Sequence, residues 1–418
     1  MSPSRALVVA LVLVAAPAAG FHVNTTDDGR PLHWPAAAVR YQLDPAGGAP
    51  VAADAFGAAV DAAFAAWATV PGGDLALEPG PAAAGGFGYD PDGPNANVVR
   101  WELENWDYEP DAVMLTFTHY RVSDGAIVDA DILINGVDHD WRADQGASGG
   151  FGEEDLQNAL THEAGHFVGL GHSPEHPEAA MFPTVAPGEV SKRRLAADDE
   201  AGFAAIYAVA GAGPAAGSED ADPFRARGCD AGGGARRAPG AAAVAALLLL
   251  AWAAARRRGA AAVALLALLG TGSAAASVRY LPVDTTAARA EAVLHGRVVA
   301  VQSLRVGRLI VTDTTLAVGR CWRGRCGGTV TVRQLGGEVD GVGLHVEGRA
   351  RTQVGEELVV FLRRSRAGAW APVGMLQGVF RVRRTGRAVE AVREVATPGP
   401  ARVEALPLAE LARRVRGR

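Results

Sequence analysis

The sequence predicts an α/β (α+β) domain with one mixed sheet and a histidine-bearing helix, then apolar membrane segments, then a small all-β domain. Three observations carry this reading. Hydrophobic residues in the first 210 positions recur at both strand and helix periods. Two apolar runs follow, Ala241–Ala255 and Ala260–Leu269. Beyond them, β-branched stretches alternate with glycine-rich turns. Charge divides at the same place, with a balance of −18 over residues 1–277 and +12 over residues 278–418. That asymmetry indicates two modules. The basic half lacks interleaved aromatics, so no nucleic-acid partner is expected.

Arg5, the run Ala6–Ala16 and the small residues Pro17-Ala18-Ala19-Gly20 have the layout of an export leader, residues 1–20, with cleavage before Phe21. Residues 21–210 read as globular. Val39–Leu43 alternates and predicts a strand. Ala52–Thr69 predicts a helix, with Phe56, Val60, Phe64 and Trp67 on one face. Strands are expected at Asn97–Trp101, Val113–Tyr120 and Ile127–Ile134, the last two joined at Asp124-Gly125. Residues 211–239 are rich in Gly, Ala and Pro and read as a linker.

Residues 240–258 end in Arg256-Arg257-Arg258 and read as a membrane anchor or sorting segment. Residues 259–276 form a second apolar segment, either another membrane helix or a second leader-like pattern. The chain is thus either one protein with a helical hairpin or two precursors joined. Residues 277–418 read as a β-rich binding domain without a catalytic constellation. Its Cys321 and Cys326 flank a turn and are placed to form a disulfide in an exported domain. The first 228 residues contain no cysteine.

The chemistry concentrates in Leu156–Leu170, which reads as a helix. Leu156, Leu160, Phe167 and Leu170 share roughly one face, and Glu153, Glu154 and Asp155 are expected to occupy its first turn. His162 and His166 are four apart and stand one turn above the other. His172 would lie about 15 Å along a continued helix from His162. The chain must therefore turn back, and Gly169 tolerates the left-handed conformation that ends a helix. Three histidines holding Zn²⁺ leave a fourth position for water, the arrangement of catalytic sites. Glu163 follows the first ligand and is placed as general base toward a zinc-bound water. The five fixed positions of this pattern arise by chance on the order of 10⁻⁵–10⁻⁴ times per chain.

His162-Glu163-x-x-His166-x-x-Gly169-x-x-His172 resembles the metzincin zinc proteases, and Ser173 after it looks like the matrixin branch. Ala180-Met181-Phe182-Pro183 resembles that branch's Met-turn, and the resemblance spans roughly residues 30–208. It implies one catalytic zinc, Met181 packed beneath the ligands, and Gly169, Met181 and Pro183 as structural support. It also implies protein or peptide substrates that add a strand to the sheet edge. Val185 stands where the branch often carries a tyrosine of the specificity-pocket wall. Asp131 stands where a histidine of a second, structural zinc is expected in animal relatives, so no second zinc is expected. Ca²⁺ at Asp129 or Asp131 is set against a solvated turn. For His119 and His139, substrate contact is set against surface ends of strands, and the latter is favoured.

Gly228-Cys229, the apolar run and the arginines resemble a myxobacterial-type C-terminal sorting signal, implying processing near Cys229. Together these readings give an exported zinc endopeptidase, anchored at the surface or membrane or secreted after processing. The rival reading is a surface adhesion protein whose zinc domain is catalytically weak.

Overall fold

The computed structural model describes residues 20–44, 50–83, 86–144, 152–208, 275–276, 280–397 and 399–417. These described residues fall in one compact unit. The expected leader, linker, Cys229 and both apolar runs lie outside the described residues.

The first half is built as β1 (Ala38–Leu43), α1 (Ala53–Ala68), β2 (Ala76–Pro79), β3 (Asn97–Glu102), β4 (Met114–Arg121) and β5 (Ile127–Asn135). The short strands β6 (Trp141–Arg142) and β7 (Glu154–Asp155) lead into α2 (Leu156–Phe167). β8 (Thr184–Val185) and α3 (Ala197–Tyr207) follow. The sheet order β2-β1-β3-β5-β4 is parallel except for the β5–β4 hairpin. That exception places β4 outermost, beside α2. β2 has a single buried residue, Leu77, and ends in Pro79, so its short edge carries little alternation to read.

Phe56, Val60, Phe64 and Trp67 of α1 are all buried. They form one core with Phe167, Leu160 and Met181 from the site region. Burial of each such side chain contributes about 1.5–3 kcal/mol before entropy is set against it. Trp67 also donates its indole N–H to the Thr161 carbonyl at 2.8 Å, fixing α1 on α2.

The second half begins with β9 (Ala275–Ala276), which pairs antiparallel with β8. It continues with α4 (Val283–Arg289), β10 (Ala292–Val306), β11 (Leu309–Arg323) and β12 (Thr329–Leu335). Next come β13 (Gly337–Val339), β14 (Val342–Val346), β15 (Glu357–Arg364) and β16 (Trp370–Pro372). β17 (Val379–Thr385), β18 (Ala388–Thr397), β19 (Gly399–Pro407) and α5 (Leu408–Arg416) close the chain. Because β10 pairs with both β11 and β15, strands β10-β11-β12-β16-β15 close into a ring, extended by β17-β18-β19. Cys321 and Cys326 form a disulfide at the end of β11. The hairpin β13–β14 leaves this ring and pairs with the first-half sheet, β14 lying antiparallel on β4.

The expected fold class is corrected in one respect. Among the described residues no helix is long and apolar enough to cross a membrane, and the architecture is one of mixed sheets with few helices. The two apolar runs are 15 and 10 residues long, short of the roughly 20 that a bilayer requires. The end of the second apolar segment, Ala275–Ala276, is a strand.

Candidate metal centre

α2 begins with Asp155, whose side chain caps it by accepting from the Asn158 N–H at 2.9 Å. Arg193 in turn holds Asp155 through its Nε at 2.8 Å. The acidic residues 153–155 thus precede the helix. At the other end, the last carbonyls are satisfied by distant side chains. Trp34 donates its indole N–H to Phe167 O at 2.9 Å, and Tyr207 donates its hydroxyl to Val168 O at 2.7 Å. Gly169 then adopts φ +98°, where its absent Cβ would lie 2.5 Å from the Leu32 carbonyl oxygen. Both facts require glycine there.

The turn brings His172 back to His162 and His166. Their Nε2 atoms lie 3.1 Å (166 to 162), 3.2 Å (162 to 172) and 3.2 Å (166 to 172) apart. Among the described residues, these three form a group able to hold a metal ion. Each Nδ1 faces away from the cluster. His162 Nδ1 donates to Ala180 O at 2.6 Å and His166 Nδ1 donates to Leu170 O at 2.8 Å. His172 Nδ1 lies 3.5 Å from the Glu347 carboxylate. With the protons on Nδ1, three Nε2 lone pairs converge with no proton between them. Burial, first, pushes the His162 imidazole well below its ordinary pKa and that of His172 down to about 3, favouring the neutral ligand form. Tetrahedral zinc ligands at about 2.0–2.1 Å from the ion stand about 3.3 Å from each other. The donor set and its spacing therefore fit a zinc ion.

Glu163 is buried, and its Oε2 accepts from the Thr116 hydroxyl of β4 at 2.6 Å. Met181 is buried, with its sulfur against Gly165 of α2. A Cβ on Gly165 would lie 2.1 Å from Met181 Sδ and 2.7 Å from Trp67 Cζ2. Pro183 is buried and leads into β8. Val185 lines a small cavity with His162, Glu163, Val113, Ala159 and Lys192.

Several residues that shape this centre escape a reading of the sequence. Asp199 of α3 accepts from the backbone N–H groups of Ala180 (2.7 Å), Met181 (2.9 Å) and Ala196 (2.7 Å). It thereby fixes the turn whose carbonyl orients His162. Asn24 pins the loop that orients His166, donating its side-chain amide to Leu170 O at 2.9 Å. Lys192 is buried, donates its ammonium to Phe182 O, and is pushed down to about 8 chiefly by burial. A unique lysine and a glycine inside a helix are the sequence signals that could have pointed here.

Other expectations need correction. His119 is fully buried and faces Asp129 at 3.3 Å, because its strand β4 is covered on both sides. The side chain of His139 is also buried, 3.8 Å from Glu154. Asp129 and Asp131 sit in β5 with no exposure, so the solvated turn is excluded. Asp131 accepts from the Val98 N–H at 2.7 Å, and no calcium is assigned to this pair.

Comparison with known proteins agrees with this geometry. Residues 99–208 match the family model described as Matrixin. Over 70 residues the chain is 39% identical to human matrilysin, covering 17% of this chain and 25% of that protein. Over 53 residues it is 43% identical to metalloendoproteinase 1-MMP of Arabidopsis thaliana, covering 13% and 14%. The chain thus spans a quarter or less of the length of these relatives. The matrixin family is zinc-dependent, and at residues 99–208 this chain carries a matrixin domain, that of a zinc metallopeptidase in general.

Proposed function

We propose that the protein is an exported zinc endopeptidase that hydrolyses peptide bonds of extracellular proteins, with residues 21–210 as its catalytic domain. The observation that carries the reading is the convergence of three outward-protonated histidines beside a buried glutamate. Three protein ligands leave a tetrahedral ion one open position. Zinc, when bound, supplies Lewis acidity that lowers the pKa of water toward about 7 and polarises a peptide carbonyl. Glu163 accepts the proton as the water oxygen bonds to the carbonyl carbon. It returns that proton to the amine as the C–N bond breaks. Thr116 holds the Glu163 carboxylate in one orientation, which reduces the reorganisation the step requires. The names of the relatives, matrilysin and metalloendoproteinase, support endopeptidase chemistry.

The test is hydrolysis of a peptide library by the zinc-loaded chain under prolonged incubation, beside Glu163→Ala. Products should form only with Glu163 present and disappear on chelation. Equal hydrolysis by both chains would refute the role given to Glu163.

A further inference from the structure

β4 is the outermost strand of the first-half sheet, and its side chains touch the metal centre. Thr116 hydrogen-bonds Glu163, and Thr118 Oγ1 reaches His166 O at 3.5 Å. A sheet edge presents unpaired N–H and C=O groups on which an extended chain can add as a strand. Beside a peptide-cleaving centre, that edge is the natural rail for a substrate backbone. In this chain the rail is taken. β14 runs antiparallel along it, from Val342 opposite Arg121 to Val346 opposite Phe117. The next residue, Glu347, reaches within 3.5 Å of His172 Nδ1.

We propose that the β domain, Val283–Arg416, is an inhibitor of the protease, with β14 occupying the place of an extended peptide substrate. The proposal rests on the endopeptidase reading.

Three features fit this assignment. Leu344 and Val346 are buried in one cluster with Leu115 and Phe117 of β4 and with Trp106. Gly343 lies against the ring of Tyr120, and a Cβ there would sit 2.1 Å from its Cζ. Glycine is thus what lets β14 approach β4 closely. The charges are complementary: Arg308 meets Asp90 at 3.0 Å and Arg363 meets Glu109 at 3.4 Å, basic on the β domain and acidic on the protease. This matches the +12 and −18 balances of the two halves. The hairpin reaches the metal centre, while the glycine and the arginines hold the β domain against the protease.

The experiment uses the full, zinc-loaded chain and two readouts: hydrogen exchange of the β4 amides and hydrolysis of a fluorogenic peptide library. Gly343→Val should force β14 off β4, raising amide exchange over 114–121 and raising hydrolysis at least tenfold. A second variant, Arg308→Glu with Arg351→Glu, reverses the part-exposed and exposed cations that meet Asp90 at 3.0 Å and Asp27 at 3.5 Å, and should act in the same direction. If β4 exchange rises while hydrolysis stays at its unaltered, measurable rate or falls, the inhibitor assignment is overturned and the endopeptidase reading stands. If neither variant exposes β4, β14 is not a displaceable occupant and the assignment is likewise overturned. If β4 is exposed and one zinc is bound but no chain cleaves any peptide, the endopeptidase reading fails and the inhibitor assignment falls with it.

Discussion

Asp199 provides the sharpest test of how the centre is held. Its carboxylate accepts three backbone N–H bonds, two on Oδ2 and one on Oδ1. Asp199→Asn preserves the shape but replaces one acceptor oxygen with a donor. In its better orientation the amide oxygen keeps Ala180 N and Ala196 N, and the NH₂ then opposes the Met181 N–H. One buried donor is left unsatisfied and the charge-assisted character of the others is lost, a cost of about 2–4 kcal/mol. The strain falls on Ala180, whose carbonyl accepts from His162 Nδ1 at 2.6 Å. Groups that orient a metal ligand in this way typically change affinity by about 10–100-fold when altered. Zinc competition against a chromophoric chelator reads the affinity, and thermal unfolding of the apo chain reads the stability. An unchanged zinc affinity together with an unchanged melting temperature would refute the assignment of Asp199 as the positioning residue.

Two further predictions rest on packing and burial. Gly165→Val should place its side chain into Met181 Sδ and Trp67, and overpacking of about 1–3 kcal/mol should lower the melting temperature. An unaltered melting temperature would show that α1 and α2 approach less closely than the contacts at Gly165 require. Lys192 is held at about 8 against an ordinary 10.5, mainly by burial, so the unfolded chain binds more protons between those values. Stability should therefore rise as pH increases from 8 to 10.5, by up to roughly 3 kcal/mol. Lys192→Met should abolish that rise in denaturant titrations across the window, and a rise that persists in the variant would assign it to another group.

What the sequence could disclose follows the range of the interactions. His162, His166, His172 and Glu163 lie within eleven residues, and metal chemistry fixes their types and spacing together. The buried face of α1 was legible for a similar reason, since Phe56, Val60, Phe64 and Trp67 repeat within four turns. Asp199 was not legible, because an acidic residue near a helix start is satisfactory there for its dipole alone. Its partners are up to 19 residues away, and those of Asn24 are 146 away. β14 pairs with a strand more than 200 residues earlier, and its Val-Gly-Leu-His-Val pattern carries no mark of that partner. His119 was misplaced because the alternation of β4 suggests one wet face, whereas seven of its eight residues are buried. The apolar runs owe much of their hydropathy to alanine and end after 15 and 10 residues, short of the roughly 20 that a bilayer requires.

The central claim is that three histidines and Glu163 make this chain a zinc endopeptidase. The most direct measurement is zinc stoichiometry together with peptide hydrolysis in the Gly343→Val chain, where the cleft is open, with and without Glu163→Ala. We predict one zinc in both chains, hydrolysis with Glu163, and a loss of at least a hundredfold without it. One zinc in both chains with equal hydrolysis, or with none in either, would contradict the claim.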